Sequence, residues 1–315
     1  MATHALVTGA TGFIGGRLTQ VLLADGAHVR CLVRDPARAA HLQRAGCEIV
    51  KGDITDARSL EGLGEGIDIA YFLVHAMAGG AGYEEREREG ATNFARMATR
   101  EGVARIAYLG GLGDENVSKH LQSRHETALT LEQEGPPLTY FRAAMVVGAA
   151  SESYRTLRYL VKRLPVMIAP SWLRIATQPI AVDDVVQYLM RAPHVPQSLG
   201  REVQIGGPDV LAYGAMLDRM AIAMGMRPRP KLPVPFITPW LSALWLGLVT
   251  PVDTNVARPL VEGLTTETIV TDASGAQPFE IQPMSFDRAL EHALEEERSE
   301  ALQEKREARA APSIG

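Results

Sequence analysis

The chain is poor in cysteine and in aromatic residues, and it shows no metal-binding pattern. Of its 315 residues, 6% are aromatic and two are cysteines, Cys31 and Cys47. Two cysteines cannot form the disulfide framework that stabilises small secreted domains. Histidines and cysteines are scattered without ligand spacing, so we expect no metal site. The first strand-like segment begins at once and shows no signal-peptide pattern, which predicts a reduced, cytoplasmic protein.

Long apolar runs are also missing. The longest stretch, residues 240–252 (WLSALWLGLVTPV), is shorter than the roughly 20 residues that span a bilayer. We therefore predict no transmembrane segment and interpret this stretch as a buried helix or a lid over an apolar pocket. An alternative is that it lies on a membrane surface.

The charge balance argues against a nucleic-acid partner. The formal net charge is −5 and no block of Lys and Arg occurs, whereas nucleic-acid-binding surfaces are usually basic. Hydrophobic residues make up 46% of the chain and charged residues 22%, which is a typical globular composition. The chain also lacks the G-x-S-x-G elbow of one large class of hydrolases.

Strand-like and helix-like segments alternate through the first half of the chain. This alternation predicts parallel strands with helical crossovers, hence an α/β fold with a doubly wound Rossmann sheet. We expect a Rossmann domain over 1–150 and a smaller, mainly helical lobe over 151–300, with 179–208 returning to the sheet. A charged tail over 301–315 is expected to fray.

The most informative motif follows the first predicted strand, in the segment TGATGFIGG. Gly9, Gly12 and Gly15 are spaced G-x-x-G-x-x-G between a strand and a helix. In such loops the glycines allow a tight turn, close approach to a pyrophosphate and close helix packing. The helix N-terminus then offers N–H groups to the phosphates. The motif predicts a dinucleotide site whose loop contacts are Gly9, Thr11, Gly12, Phe13, Ile14 and Gly15.

The end of the second predicted strand bears on the choice of cofactor. Arg34 lies 19 residues after Gly15 and is followed by Asp35. A guanidinium suits a 2′-phosphate, whereas an acidic residue at this position suits a 2′-hydroxyl. We favour NADP(H), with NAD(H) as the alternative if Asp35 is the group that binds. At the end of the third strand, Asp53 and Ile54 are placed to contact the adenine.

Several segments together resemble a known family. TGATGFIGG, LVRDP, GDITD, YFLVHAM and TYFRAAMVVG resemble the short-chain dehydrogenase/reductase superfamily. The closest likeness is to its atypical, NmrA-like and complex I accessory-subunit-like branches, which have nucleoside-diphosphate-sugar-epimerase ancestry. The resemblance covers nearly the whole chain and implies NAD(P) binding by a monomer or homodimer. It adds these cofactor contacts: Val74, His75, Gly110, Arg124 and Ala143.

The chain departs from the family at the catalytic positions. Typical members use a Ser together with the Tyr and Lys of Y-x-x-x-K, a pattern that does not occur here. Gly110-Gly111 occupies the expected Ser position, and HLQSR places His120 and Arg124 at the Tyr and Lys positions. His75, at a predicted strand end, is a further candidate acid. Our catalytic candidates are therefore His120, Arg124 and His75. The alternative for His120 is that it is an ordinary solvent-exposed residue on the helix surface.

The resemblance also suggests a substrate side and two functions. Tyr154, Arg158 and Trp172, with Arg174 and Gln178 nearby, fall where the superfamily builds its substrate pocket. The first function is an NADP(H)-dependent oxidoreductase that acts on a small, fairly apolar carbonyl or quinone-like compound. The alternative is a non-catalytic NAD(P)H-sensing regulator or assembly factor with a protein partner, because the Ser-Tyr-Lys set is missing.

Overall fold

A computed structural model describes residues 2–74, 82–114, 119–233 and 266–310 of the chain. Its strands are β1 (His4–Thr8), β2 (His28–Val33), β3 (Glu48–Lys51), β4 (Ile69–Phe72), β5 (Arg105–Gly111), β6 (Leu138–Ala143), β7 (Val146–Val147), β8 (Met167–Ala169), β9 (Ala176–Thr177), β10 (Ile180–Ala181), β11 (Arg201–Ile205), β12 (Leu211–Ala212) and β13 (Lys231–Pro233). Its α-helices are α1 (Phe13–Ala24), α2 (Ala40–Arg44), α3 (Tyr83–Arg100), α4 (Lys119–Glu134), α5 (Glu152–Arg163), α6 (Val182–Arg191), α7 (Tyr213–Ala223) and α8 (Phe286–Ala310).

Seven of the strands form one parallel sheet in the order β11-β6-β5-β4-β1-β2-β3. The strand order reverses between β1 and β4, so the carboxyl ends of these two strands open a crevice. Strands covered on both faces are expected to be continuously apolar. Ala5, Leu6 and Val7 of β1 accordingly have no exposed surface. This topology confirms the predicted Rossmann sheet.

Helices cover both faces of the sheet. Leu18 of α1 and Val185 of α6 belong to the core on one face, and Phe94 of α3 and Leu131 of α4 belong to the core on the other. A third core joins α5, α7 and α8. The sheet core includes Ile180, Val185 of α6 and Val203 of β11, so the chain does return to the sheet after α5. The proposed domain limits at 150 and 300 stay predictions.

Local detail departs from a plain alternation of strands and helices in three places. Between β2 and β3 the chain forms a 3₁₀ turn, Pro36–Ala39, followed by the short α2, because Asp35 caps a turn that starts with proline. The segment after α7 contains β13, which pairs with β8. Helix α8 continues through residues 301–310, where a frayed tail was expected.

The apolar stretch at 240–252 lies outside the described residues. Within the described part of the chain, no helix is both long and apolar enough to span a bilayer.

Candidate functional site

The loop from β1 to α1 brings the three glycines into close backbone contact. Gly9 has a φ of +69°, and a Cβ atom on it would lie 2.5 Å from the carbonyl oxygen of Leu73. A Cβ on Gly15 would lie 2.3 Å from the carbonyl oxygen of Gly9. The Gly12 N–H donates to that same oxygen at 2.9 Å. The structure thus leaves no room for side chains at Gly9 and Gly15.

The N-terminus of α1 is suited to an anion. Gly12 is its N-cap, so no side chain caps the first turn, and that turn contains no acidic residue. The first N–H groups of a helix have no acceptor within the helix, and here these belong to Phe13, Ile14 and Gly15. The exposed Thr11 borders them. Free N–H groups with the positive end of the helix dipole suit a pyrophosphate.

Thr8 fixes the loop to the neighbouring strand. Its buried hydroxyl donates to the carbonyl oxygen of Tyr71 at 3.0 Å and accepts from the Leu73 N–H at 3.1 Å. The end of β1 is therefore held to the end of β4, on which Gly9 rests.

At the end of β2, the side chains of Arg34 and Asp35 differ in whether they have hydrogen-bond partners. Arg34 is exposed, and no described residue forms an ion pair or hydrogen bond with its side chain. Asp35 instead accepts a hydrogen bond from the Ala37 N–H at 3.0 Å, which caps the 3₁₀ turn. The guanidinium is thus available for an anion, while one carboxylate oxygen of Asp35 already has a partner. Arg38 is exposed on the same turn.

In the turn after β3, polar groups form hydrogen bonds with one another. One Asp53 oxygen accepts from both the N–H and the hydroxyl of Thr55, at 3.0 and 2.9 Å. Ile54 is 9% exposed, and its side chain would lie 2.5 Å from a Cβ on Gly90 of α3. Local packing therefore explains both residues without a ligand, and their adenine contacts stay predictions.

The catalytic serine position of the family is occupied by other side chains. A Cβ on Gly110 would lie 2.6 Å from the ring of Tyr140, and one on Gly111 would lie 2.4 Å from the side chain of Leu121. A serine at either glycine would therefore displace its neighbour. Side chains packed at the carboxyl end of β5 therefore take up the space that a serine would need.

Arg124 lies beside this position. Its Cδ would be 3.7 Å from a Cβ on Gly111. Its Nε is buried, and no described residue provides an acceptor for it. Because a buried donor without an acceptor is costly, this nitrogen is suited to a hydroxyl or an anion of a bound molecule. The residues of the loop, of β2 and of α4 thus fit a dinucleotide.

Of the two histidine candidates, the structure describes only the backbone of His120. His75 lies outside the described residues, directly after the half-buried Val74. His120 belongs to the first turn of α4, but its side chain lies outside the described part of the chain. Their roles as proton donors stay predictions.

Arg142 holds the loop that follows β5. Its guanidinium donates to the carbonyl oxygens of Gly111 and Gly113, at 3.0 and 2.7 Å, and pairs with Glu202 at 3.2 Å. The Ala143 carbonyl accepts from the Leu112 N–H at 2.8 Å. Ala143 is thus tied to the same loop, and its predicted backbone contact with the cofactor stays a prediction.

The predicted pocket residues of α5 contact the C-terminal helix. Tyr154 has no exposed surface, and its hydroxyl donates to Glu297 at 3.3 Å. Arg158 forms an ion pair with the same carboxylate at 2.8 Å. Trp172 packs edge-on against Tyr213 at 6.2 Å between ring centroids. These contacts fix α8 and the third core without a substrate, so the assignment to a pocket stays a prediction.

The other two residues near the predicted pocket differ from each other. Gln178 donates to the Gly207 carbonyl and accepts from the Val270 N–H, which ties two loops together. Arg174 is exposed.

Two buried polar pairs near the site were not foreseen. The Ser123 hydroxyl donates to the buried Glu87 at 2.6 Å, and the Tyr108 hydroxyl donates to the Arg124 carbonyl. Burial raises the pKa of Tyr108 far above its usual range, so this phenol stays protonated. Glu87 stands in the charged run EEREREG, and no local signal separates it from its exposed neighbours.

A third group of buried hydroxyls lies across from the loop after β5. Thr268 donates to Thr177 at 2.6 Å, and its methyl group would lie 3.1 Å from a Cβ on Gly113. Burial raises the pKa of the adjacent Tyr213 to about 12. The pairing of Thr177 with Thr268 spans 91 residues, so no spacing within the sequence predicts it.

Residues 9–144 match the sequence model of a family described as NAD(P)H-binding. The chain is 25% identical over 169 residues to sterol demethylase protein B of Methylococcus capsulatus, covering 52% of each protein. It is 26% identical over 247 residues to a ceramide reductase of Caulobacter vibrioides, covering 75% of this chain and 77% of that protein. These matches support an atypical, NAD(P)-binding type of short-chain dehydrogenase/reductase. The match to the first relative spans only about half of its length.

The chain is also similar in fold to several solved structures. The triphenylmethane reductase of a Citrobacter species, solved with NADP(H), superposes with a TM-score of 0.74 at 16% identity. The superposition covers 92% of this chain and 99% of that one, and it supports the same fold.

No group of three or more His, Cys, Asp or Glu within the described ranges could hold a metal ion.

Proposed function

We propose that the protein is an NADP(H)-dependent oxidoreductase that acts on a small, fairly apolar carbonyl or quinone-like compound. Its site would work without the Ser-Tyr-Lys set. The observation that carries this proposal is Arg124, whose buried Nε has no acceptor among the described residues and lies at the carboxyl edge of β5. That edge is where Rossmann sheets bind their ligands.

The preference for NADP(H) rests on the end of β2. Arg34 carries a charge that no described residue neutralises, whereas Asp35 caps a turn. A guanidinium binds a phosphate through two parallel hydrogen bonds. An adenosine 2′-phosphate would therefore find its partner at Arg34, with Arg38 on the next turn adding positive charge.

The chemistry divides between the cofactor and the chain. NADPH, when bound, supplies the hydride for the carbonyl carbon. The chain must then stabilise the negative charge on the carbonyl oxygen and deliver a proton to it. Arg124 stays charged and suits the first task. His120 and His75 are the candidates for the second task, because histidine titrates near neutral pH.

The first experiment is a titration of the purified protein with NADPH and with NADH, followed by nicotinamide fluorescence. Arg34→Gln should weaken NADPH binding about tenfold, since a charge-assisted hydrogen bond contributes about 1.5–3 kcal/mol, and should change NADH binding little. Arg58→Gln, which removes another exposed charge, is the matched control. Equal losses for both cofactors would contradict the 2′-phosphate assignment.

The second experiment tests turnover. The protein and NADPH are incubated with a panel of apolar ketones, aldehydes and quinones while cofactor consumption is recorded. Arg124→Gln should lower kcat, whereas Arg124→Lys should retain part of it because a positive charge remains. His120→Ala and His75→Ala should lower kcat while cofactor binding is kept. Unchanged turnover in both histidine variants would remove these residues from the mechanism.

A second candidate function is a non-catalytic sensor of NADP(H) that regulates or assembles a protein partner. The packing of Tyr140 and Leu121 into the family's serine position favours it, because it shows a site built without that hydroxyl. A partner whose affinity differs between the NADP⁺-bound and NADPH-bound protein would support this function. Tight NADPH binding without consumption by any panel compound would also shift the weight toward it.

A further inference from the structure

The side chain of Tyr140 in β6 leans toward the carboxyl edge of the sheet. In the strand register, Tyr140 lies opposite Tyr108 of β5. The tip of its ring nevertheless meets Gly110, which is two residues further along β5. Residues two apart in a strand share one face of the sheet, and directly paired residues share it too. The phenol therefore points along this face toward the strand ends at which Rossmann sheets bind their ligands.

The glycine at position 110 is matched to this phenol. The φ of Gly110 lies outside the left-handed region, so its backbone would accept a side chain. The three atoms nearest to a Cβ on Gly110 all belong to Tyr140, namely two ring carbons at 2.6 and 3.1 Å and the hydroxyl oxygen at 2.8 Å. A serine hydroxyl would stand one bond beyond that Cβ. The Tyr140 hydroxyl thus lies in the space of a serine side chain, whereas the nearest side chain at Gly111 is the aliphatic Leu121.

Neighbouring side chains hold the phenol in place. Its ring stacks on Tyr108, with 5.4 Å between the centroids and 20° between the planes. The guanidinium carbon of Arg142 lies 6.0 Å from the centroid of the Tyr140 ring. A hydroxyl carried by such a fixed ring is preorganised, so it can donate a hydrogen bond at one defined point.

Arg124 lies at the same end of β5. Its carbonyl accepts from the Tyr108 hydroxyl at 3.3 Å, and its Cδ would lie 3.7 Å from a Cβ on Gly111. Arg124 thus contacts both the stacked tyrosines and the residue that follows Gly110. Tyr140 is 7% exposed, and this exposure belongs to its side chain, because β6 is an interior strand whose backbone is covered by β5 and β11.

We propose that the Tyr140 hydroxyl replaces the missing serine hydroxyl and donates a hydrogen bond to the carbonyl oxygen of the substrate. Because that substrate belongs to the proposed oxidoreductase function, the inference rests on it. In the reduction, the carbonyl carbon accepts the hydride of NADPH, and the electron pair of the C=O bond moves to the oxygen. His120 or His75 supplies the proton that completes the alcohol, whereas Tyr140 keeps its own. Tyr140 stabilises the negative charge that develops on this oxygen.

The first test removes only this hydroxyl. A purely structural role would be met by phenylalanine, because the ring alone makes the stacking contact. With a carbonyl compound that the protein consumes, Tyr140→Phe should lower kcat about a hundredfold, since loss of one such donor costs about 10²–10³ in kcat. NADPH binding should stay unchanged. Unchanged kcat in Tyr140→Phe would overturn the proposal.

Tyr188→Phe is the matched control. Tyr188 of α6 is also buried, but it belongs to the core on the other face of the sheet. Loss of its hydroxyl should leave kcat unchanged. An equal fall in kcat for both phenylalanine variants would mean that a lost buried hydroxyl acts through stability alone, and would also overturn the proposal.

A binding measurement separates this inference from the proposed function. Calorimetry records the affinity of apolar ketones such as acetophenone for the NADP⁺-loaded protein, in which no hydride is available. Tyr140→Phe should weaken this binding about fivefold, the equivalent of about 1 kcal/mol for one hydrogen bond. This loss without consumption of any panel compound would refute the oxidoreductase and leave Tyr140 as the carbonyl donor. Consumption with no effect of Tyr140→Phe on kcat or on ketone affinity would do the reverse, and absence of ketone binding would overturn the Tyr140 assignment.

A rescue experiment tests the exchange of one hydroxyl for the other. Tyr140→Val removes the ring that blocks Gly110, and Gly110→Ser/Tyr140→Val then adds a hydroxyl at the family's serine position. This double variant should recover part of the kcat that Tyr140→Val loses. Gly110→Ala/Tyr140→Val fills nearly the same volume without a hydroxyl and should recover none. Melting temperatures of the two double variants show that both are folded, and equal kcat values in them would contradict the exchange.

Discussion

Replacement of Gly15 by alanine gives the sharpest test of the phosphate loop. The added Cβ would lie 2.3 Å from the Gly9 carbonyl oxygen and 2.8 Å from its carbonyl carbon. Both atoms belong to the backbone, so no side chain can move aside. Ordinary contact begins at 3.4 Å, which means that α1 must retreat from the loop by about 1 Å.

The cost follows from that displacement. Forcing one extra methyl group into a packed core costs about 1–3 kcal/mol. We expect Gly15→Ala to lower the melting temperature by several degrees, at about 2–4 °C for each kcal/mol. NADPH affinity should fall at least about tenfold, or 1.4 kcal/mol, because the helix N–H groups move away from the phosphates. Differential scanning fluorimetry and fluorescence titration measure the two effects.

Gly16 provides a matched control one residue further along α1. A Cβ on Gly16 would lie 3.3 Å from the Ala10 carbonyl oxygen, which is tight but tolerable. Alanine is also favoured over glycine inside a helix by about 1 kcal/mol. Gly16→Ala should therefore be neutral or stabilising. Normal melting and NADPH binding by Gly15→Ala, or equal damage from Gly16→Ala, would refute the proposed close approach.

Three further predictions concern single side chains. Arg142→Lys should lower the melting temperature, because a lysine cannot hold both loop carbonyls and the partner carboxylate; an unchanged value would mean that the loop is held otherwise. Burial raises the pKa of Asp184, so the folded state binds its proton more tightly and the free energy of unfolding should fall as pH rises above 3.8. Asp184→Asn keeps the acceptor for the Met284 N–H and should flatten this pH dependence. Urea titrations at several pH values measure it. Cys31 and Cys47 are buried, and burial raises both of their pKa values. Neither thiol should therefore react with a thiol reagent near neutral pH until the protein unfolds. Rapid labelling of the folded protein would contradict this.

The sequence alone was sufficient for features that arise within one strand–loop–helix unit. Gly9, Gly12 and Gly15 lie within seven residues, so their spacing carries the geometry of the loop. The alternation of strands and helices similarly determined the parallel sheet, because parallel neighbours need a crossover between them. The return of residues 179–208 to the sheet is likewise an expectation from the sequence, and β11 lies in that range.

Only the tertiary structure decided which side chains have partners from distant parts of the chain. Tyr154 and Glu297 are 143 residues apart, and no spacing predicts that they meet. The environment of Gly110 depended on a ring from the next strand of the sheet. Spacing along the chain fixes local backbone geometry, whereas burial and partners depend on segments that meet only after the chain has folded.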